Sequence, residues 1–251
     1  MMEKEIIPKL KEVADKLISK EEKRKKIESL IKSSLLKFIE EKEEEKELKV
    51  GVFWPSMIGE CMRKVYYMYK YGLRELPERS KKITFLGTII HEVLGEALKK
   101  YAGLEIKSEV EVNLDLGVIK IHGRADNVIF LPNENIVIEV KTHSPRKEIR
   151  TTKLSHVLQL IIYMKYFQAR DGYLVYICRD DLSIRVFHIE YDEGLFSYAI
   201  QRLLNIHKYI LEDREPPPEA KLDENMYWQC INCPYRKECE EKVRGIFEKT
   251  Q

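Results

Sequence analysis

GRADNVIFLPNENIVIEVK, residues 123–141, decides how this chain folds. Two β-branched runs flank Pro132 and Asn133, which are turn formers, so the stretch reads as a β-hairpin. Glu139 and Lys141 are two apart in the second strand and project to one face. Facing residues of an antiparallel hairpin share a constant number sum. A turn centred between Pro132 and Asn133 makes that sum 265 and sets Asp126 opposite Glu139, with Cβ atoms about 4.5–5.5 Å apart. A turn centred one residue later makes it 267 and sets Asp126 opposite Lys141. Both registers keep Asp126, Glu139 and Lys141 on one face, and only an odd slip or a bulge separates them.

Neighbouring carboxylates repel unless a cation lies between them. Carboxylate oxygens suit Mg²⁺ or Mn²⁺, whereas zinc prefers nitrogen and sulfur. A lysine beside such an ion can orient or deprotonate a water, or offset charge in a phosphoryl transition state. The chemistry inferred is metal-assisted hydrolysis of a phosphodiester. A bare E-x-K is common by chance, so the reading needs its surroundings.

Upstream, the apolar spacing of residues 83–101 predicts a helix, with His91 one step from its apolar face. Alternation at Val110, Val112 and Leu114, then at Val118, Ile119 and Ile121, predicts strands. Downstream lies a polar, basic loop containing Arg146 and Lys147, which are further candidates for DNA contact. A helix over 156–167 carries Gln159 and Tyr163 at i and i+4, on one face. Strands follow over 173–180 and 183–191, then a helix over 195–215 that ends before Pro216, Pro217 and Pro218. The chain is thus expected to be α/β. Residues 1–49 form a charged helical segment, 50–215 the core, and 216–251 a terminal lobe with a short closing helix.

The chain has 251 residues, with 44 basic and 42 acidic side chains and a net charge of +2. So weak an overall field means that nucleic acid must be met by local patches. Residues 61–82 are one candidate, where Arg63 and Lys64 interleave with Tyr66 and Tyr67. Basic heads neutralise phosphates and tyrosine faces stack on bases; the other reading is a helix with a buried tyrosine face. The first 49 residues hold 14 basic and 13 acidic side chains. Their apolar stripe (Leu10, Val13, Leu17, Ile27, Leu30, Ile31, Leu35, Phe38) reads as the buried side of an amphipathic hairpin. A charged start and the lack of a long apolar run point to a cytoplasmic protein without a membrane segment.

Cys230, Cys233 and Cys239 fall within ten residues, which in a reducing compartment points to a metal or cluster site. Three thiolates need a fourth ligand. Cys178 sits inside an apolar strand, where a buried thiol is ordinary, so Cys61 is the better candidate. Spacing alone does not separate zinc from iron–sulfur.

The order His91, Gly123 to Asp126, Glu139 to Lys141, Gln159 to Tyr163 resembles the RecB-like branch of the PD-(D/E)xK nucleases. With Cys61-Met62-Arg63-Lys64-Val65-Tyr66-Tyr67 before it and three cysteines after, the chain resembles the CRISPR-associated RecB-like iron–sulfur exonucleases. Ala125 stands where the first motif of the superfamily has proline, as in many RecB-like members. The resemblance implies a restriction-endonuclease-like core with a central mixed sheet and a C-terminal iron–sulfur lobe. It implies that His91, Asp126, Glu139 and the Val140 carbonyl hold Mg²⁺ or Mn²⁺. Lys141 would then serve the attacking water, and Gln159 and Tyr163 would position DNA or the lysine. It implies a [4Fe–4S] cluster on Cys61, Cys230, Cys233 and Cys239, and 5′→3′ exonuclease activity on single-stranded DNA. Trimming of spacer precursors beside CRISPR integrase subunits would follow, and a homo-oligomer is compatible with it. A repair or virus-encoded exonuclease, and a non-catalytic DNA-binding scaffold, are the competing expectations.

Overall fold

The Pro132–Asn133 turn closes in the first of the two expected registers. Asn127 faces Ile138 and Phe130 faces Asn135, and the Leu131 N–H donates to the Glu134 carbonyl at 3.0 Å. The computed structural model describes residues 24–42, 47–145 and 148–240. The chain divides into two units, Met1–Lys46 and Glu47–Gln251.

Six strands form one mixed sheet: Val52–Phe53 (β1), Glu105–Asp115 (β2), Lys120–Phe130 (β3), Asn135–His143 (β4), Asp171–Cys178 (β5) and Ile184–Glu190 (β6). One edge of β3 pairs with β2 along nearly its whole length. Its other edge pairs with β1 at Lys120 and Ile121 and with β4 from Asn127 onward. The residues between, Asp126 among them, therefore sit where the sheet parts. β4 and β5 run parallel, and β6 closes the far edge antiparallel.

Both sheet faces are covered, which is why β4 reads as an almost unbroken apolar run. On one face lie Leu154–Phe167 (α4) and Glu193–Leu211 (α5). Leu158, Ile161, Ile162, Phe196 and Leu203 pack there with Val137, Leu174 and Tyr176. On the other face, Ile90, Leu94 and Leu98 of Glu78–Tyr101 (α3) pack on Ile138, Val140, Val175 and Ile177. α3 begins five residues earlier than its apolar period suggested, because its first turn is all charged or polar. Met62–Tyr71 (α2) lies between β1 and α3 in the chain, and Glu219–Leu222 (α6) and Trp228–Ile231 (α7) belong to the tail.

Residues 24–41 form a helix (α1). Its apolar stripe departs from the expected burial: Ile27, Leu30, Ile31, Leu35 and Phe38 are all exposed. Leu10, Val13, Leu17 and the closing helix after Cys239 lie outside the described residues. Among the described residues no helix is long and apolar enough to cross a membrane.

Candidate active site and metal centre

The site begins with a fault in the β2–β3 ladder. Ser108 faces Asn127 and Val110 faces Ala125, but the intervening pair, Glu109 and Asp126, is missing. Glu109 lies in the left-handed region at φ +53°, where a side chain is seldom accommodated. Side-chain alternation reverses at this point on both strands. Ser108 donates to Asn127 Oδ1 at 2.7 Å beneath α3, while Val110 and Ala125 pack in the core under α4. The register is the same on both sides, so no residue is inserted and the fault is a local break in pairing, neither the slip nor the bulge that the sequence reading held as its exceptions. It turns Asp126 towards α3, while Glu139 and Lys141 meet α4.

Two glycines bring α3 close enough for Asp126 to meet it. Gly87 and Gly95 flank His91 at i−4 and i+4, on one helix face. A Cβ on Gly95 would stand 2.7 Å from Ser108 Oγ and 3.1 Å from Asn127 Oδ1; one on Gly87 would stand 3.3 Å from Thr142 Oγ1. His91 Nδ1 thereby reaches to 3.3 Å from Asp126 Oδ1. Asp126 Oδ2 accepts the Val140 N–H at 2.6 Å, so a carboxylate continues the ladder where strand pairing ends. Burial pulls the His91 pKa down, but the Asp126 hydrogen bond and charge, helped by Glu139, outweigh it, and the net direction is up.

On β4, Glu139 is 1% exposed. Its Oε1 accepts from Lys141 Nζ at 2.7 Å, and its Oε2 is buried without a hydrogen-bond partner. Burial, then the neighbouring Asp126 charge, push its carboxyl pKa upward. Burial also works against the Lys141 ammonium, but Glu139 and Asp126 prevail and hold it protonated. Lys141 Nζ also donates to Gln159 Oε1 at 2.9 Å, and Gln159 Nε2 lies 3.4 Å from the Tyr163 hydroxyl. The i, i+4 pair on α4 thus forms one relay with the β4 lysine.

His91, Glu109 and Asp126 each offer a ligand atom, and these atoms lie within 4.8 Å of one another. Beside them is the buried Glu139 carboxylate with its unsatisfied oxygen. One imidazole and several carboxylate oxygens fit a hard divalent cation. Glu109 escaped the sequence reading because unbroken alternation was assumed through β2. The change of face at 109 carries no local signature such as glycine. The two glycines around His91 were legible but were read only as helix positions.

A second centre lies in the tail. Cys61, Cys230, Cys233 and Cys239 line one cavity, and Cys178 is not among its lining residues. Burial raises the Cys230 and Cys233 thiol pKa values, and the neighbouring cysteines add to the rise. Such thiols ionise readily only against a cation. The Cys61 N–H donates to Gln229 Oε1 at 2.8 Å, and Gln229 Nε2 donates to the Gly59 carbonyl at 2.9 Å. The Met62 N–H donates to Glu219 Oε1 at 2.7 Å. Arg202 gathers this junction, donating to the Ile58 and Glu60 carbonyls at 2.7 Å each and pairing with Glu219.

This packing corrects the expected DNA contacts of α2. Arg63 is buried, donating to the Pro216 carbonyl at 2.7 Å and lying 3.8 Å from Cys239 Sγ. Tyr66 and Tyr67 are buried with Tyr235, and the Tyr66 hydroxyl donates to Asp213. Rings packed inside the tail junction present no face to a base. Lys64 is partly buried and paired with Glu60 at 2.6 Å. Arg146 and Lys147 lie outside the described residues. A basic, aromatic pair missed in the sequence stands nearby: Lys153 Nζ sits 4.1 Å above the ring of the exposed Trp228.

The model of the PD-(D/E)XK nuclease superfamily matches residues 96–240. The CRISPR-associated exonuclease Cas4 of Saccharolobus solfataricus is 30% identical over 219 residues, covering 86% of this chain and 98% of that protein. The crystal structure of SSO0001 superposes with a TM-score of 0.61 at 26% identity, covering 82% of this chain and 94% of the other. LHK-Exo, the alkaline exonuclease of Laribacter hongkongensis, shares the fold at 16% identity and a TM-score of 0.50, over 65% of this chain and 90% of its own. With a family model matching more than half of its length, the chain is a member of the PD-(D/E)XK nuclease superfamily.

Proposed function

We propose that this nuclease is a Mg²⁺- or Mn²⁺-dependent exonuclease that degrades single-stranded DNA from the 5′ end and trims spacer precursors in CRISPR adaptation. The observation that carries the metal-dependent reading is Glu139: a buried carboxylate with one oxygen on Lys141 and the other unsatisfied. A buried acceptor left this way is costly unless a ligand completes it. The similarity to the Saccharolobus exonuclease supports the exonuclease and CRISPR readings, and integrase subunits are the partners proposed with them.

His91, Asp126, Glu139 and the Val140 carbonyl would hold the cation, which supplies positive charge against the scissile phosphate. Lys141 presents an ammonium head held from two sides, by Glu139 Oε1 and Gln159 Oε1. So placed, it has one N–H left, which serves the attacking water. Gln159 fixes that ammonium, and the Tyr163 hydroxyl fixes Gln159. Residues Cys61, Cys230, Cys233 and Cys239 would hold a [4Fe–4S] cluster. The four-thiol lining and the Arg63 N–H beside Cys239 Sγ support that assignment.

Digestion of 5′- and 3′-labelled single strands with Mn²⁺ tests the site. Glu139→Ala and Lys141→Ala are each expected to lower the rate by roughly 10²–10³-fold. Equal rates in wild type and both variants would falsify the assignment. Loss of label first from the 3′ end would overturn the polarity.

A further inference from the structure

We infer that Glu109 is a further ligand of the divalent cation, supplied by β2 across the sheet from Glu139. The inference rests on the metal-dependent reading above and extends it by one residue. No sequence motif marks Glu109; its place in the fold does. It is the residue that should pair with Asp126 in the β2–β3 ladder, and that pair is the one the ladder omits. A continuous strand would point the two side chains to one face as ordinary cross-strand neighbours. Instead the backbone at Glu109 turns left-handed, at φ +53°, and both strands reverse their faces at the same level.

A glutamate in the left-handed region of a strand is unfavourable and persists where the surroundings require it. Here the outcome is a carboxylate oxygen within 4.8 Å of both His91 and Asp126 ligand atoms. The Glu109 carboxylate is about half exposed, at 49%, and Arg124 Nε lies 3.4 Å from its Oε2. That arginine steadies the carboxylate from the solvent side. Independent support comes from the neighbouring strand, where Glu139 is 1% exposed and its Oε2 is unpartnered. Two strands therefore bring carboxylate oxygens together beside the imidazole of α3. A cation there has oxygen donors from β2 and β3, to which the Glu139 carboxylate of β4 would add.

The test is Mn²⁺ binding by the full-length, cluster-loaded protein, read from the six-line EPR signal of free Mn²⁺. Glu109→Gln keeps the shape and removes the charge, and it is expected to weaken Mn²⁺ roughly 10–100-fold. Glu109→Gly also removes the carboxylate but relaxes the backbone, so it guards against a folding defect and should weaken Mn²⁺ to the same extent. Arg124→Gln separates a ligand from a merely structural ion pair: as a ligand, Glu109 keeps binding Mn²⁺ at least as tightly without its arginine. Glu139→Gln is the reference for the site itself. Unchanged affinity in Glu109→Gln and Glu109→Gly, with affinity lost in Glu139→Gln, would overturn the role of Glu109 and leave the metal site standing. Equal loss in Arg124→Gln and Glu109→Gln would overturn it in favour of the ion pair. Unchanged affinity in every variant would remove the metal site and Glu109 together.

Discussion

His156 stays neutral at neutral pH because of what surrounds it. Its Nδ1 lies 2.8 Å from the Tyr176 hydroxyl. Burial, then the Lys141 and Lys153 charges, pull its pKa down to about 3. The ordinary value is higher, so as pH falls through about 6.5 the unfolded chain takes up a proton that the fold refuses. Stability is therefore complete above that point and declines towards pH 3, by at most ~1.4 kcal/mol per pH unit. His156→Gln is expected to flatten the acid limb of a urea-unfolding series between pH 7 and pH 4.5. Parallel limbs in the variant and wild type would show that another group carries the acid sensitivity.

At the level of elements, α3 delivers His91 only because glycines let it lie close to the sheet. Gly95→Ala gains about 1 kcal/mol of helix propensity but meets Ser108 Oγ and Asn127 Oδ1. Its net effect on unfolding free energy should be within about 1 kcal/mol. Its effect on function should be larger, since the helix shift carries His91 away from Asp126. Cleavage and Mn²⁺ affinity should both fall, and adding Ser108→Gly should restore them. Full activity in Gly95→Ala alone would refute the close-approach argument. Much of this architecture could be read in advance: the turn residues narrowed the hairpin to two registers, of which the structure takes the first, and α4 and α5 came from their apolar period. Asp126, Glu139, Lys141, Gln159 and Tyr163 came from spacing along strand and helix, and His91 from the order of motifs. Local pattern also has its limits. The reversal at Glu109 is imposed by tertiary packing on a sequence that alternates without a break. The composition of α2 suits both a stacking surface and a buried junction, and its inward tyrosines are decided by Tyr235, more than 160 residues away.

For the whole molecule, the decisive join is between the start of α2 and the tail. Gln229, Glu219 and Arg202 tie it by hydrogen bonds, and a cluster on the four cysteines would tie it by iron. Stripping iron with a chelator, or Cys61→Ala, should abolish hydrogen-exchange protection over residues 216–240 while β3, β4 and β5 keep theirs. Protection unchanged in the tail would show that packing alone holds it. The join also has a consequence in time. Cys230 is translated 169 residues after Cys61, which at roughly 5–20 residues per second is a delay on the order of 10–30 s. For that interval the nascent chain carries a thiol whose three companions are still unmade. A cluster on these four cysteines would therefore be assembled only after Cys239 has been made.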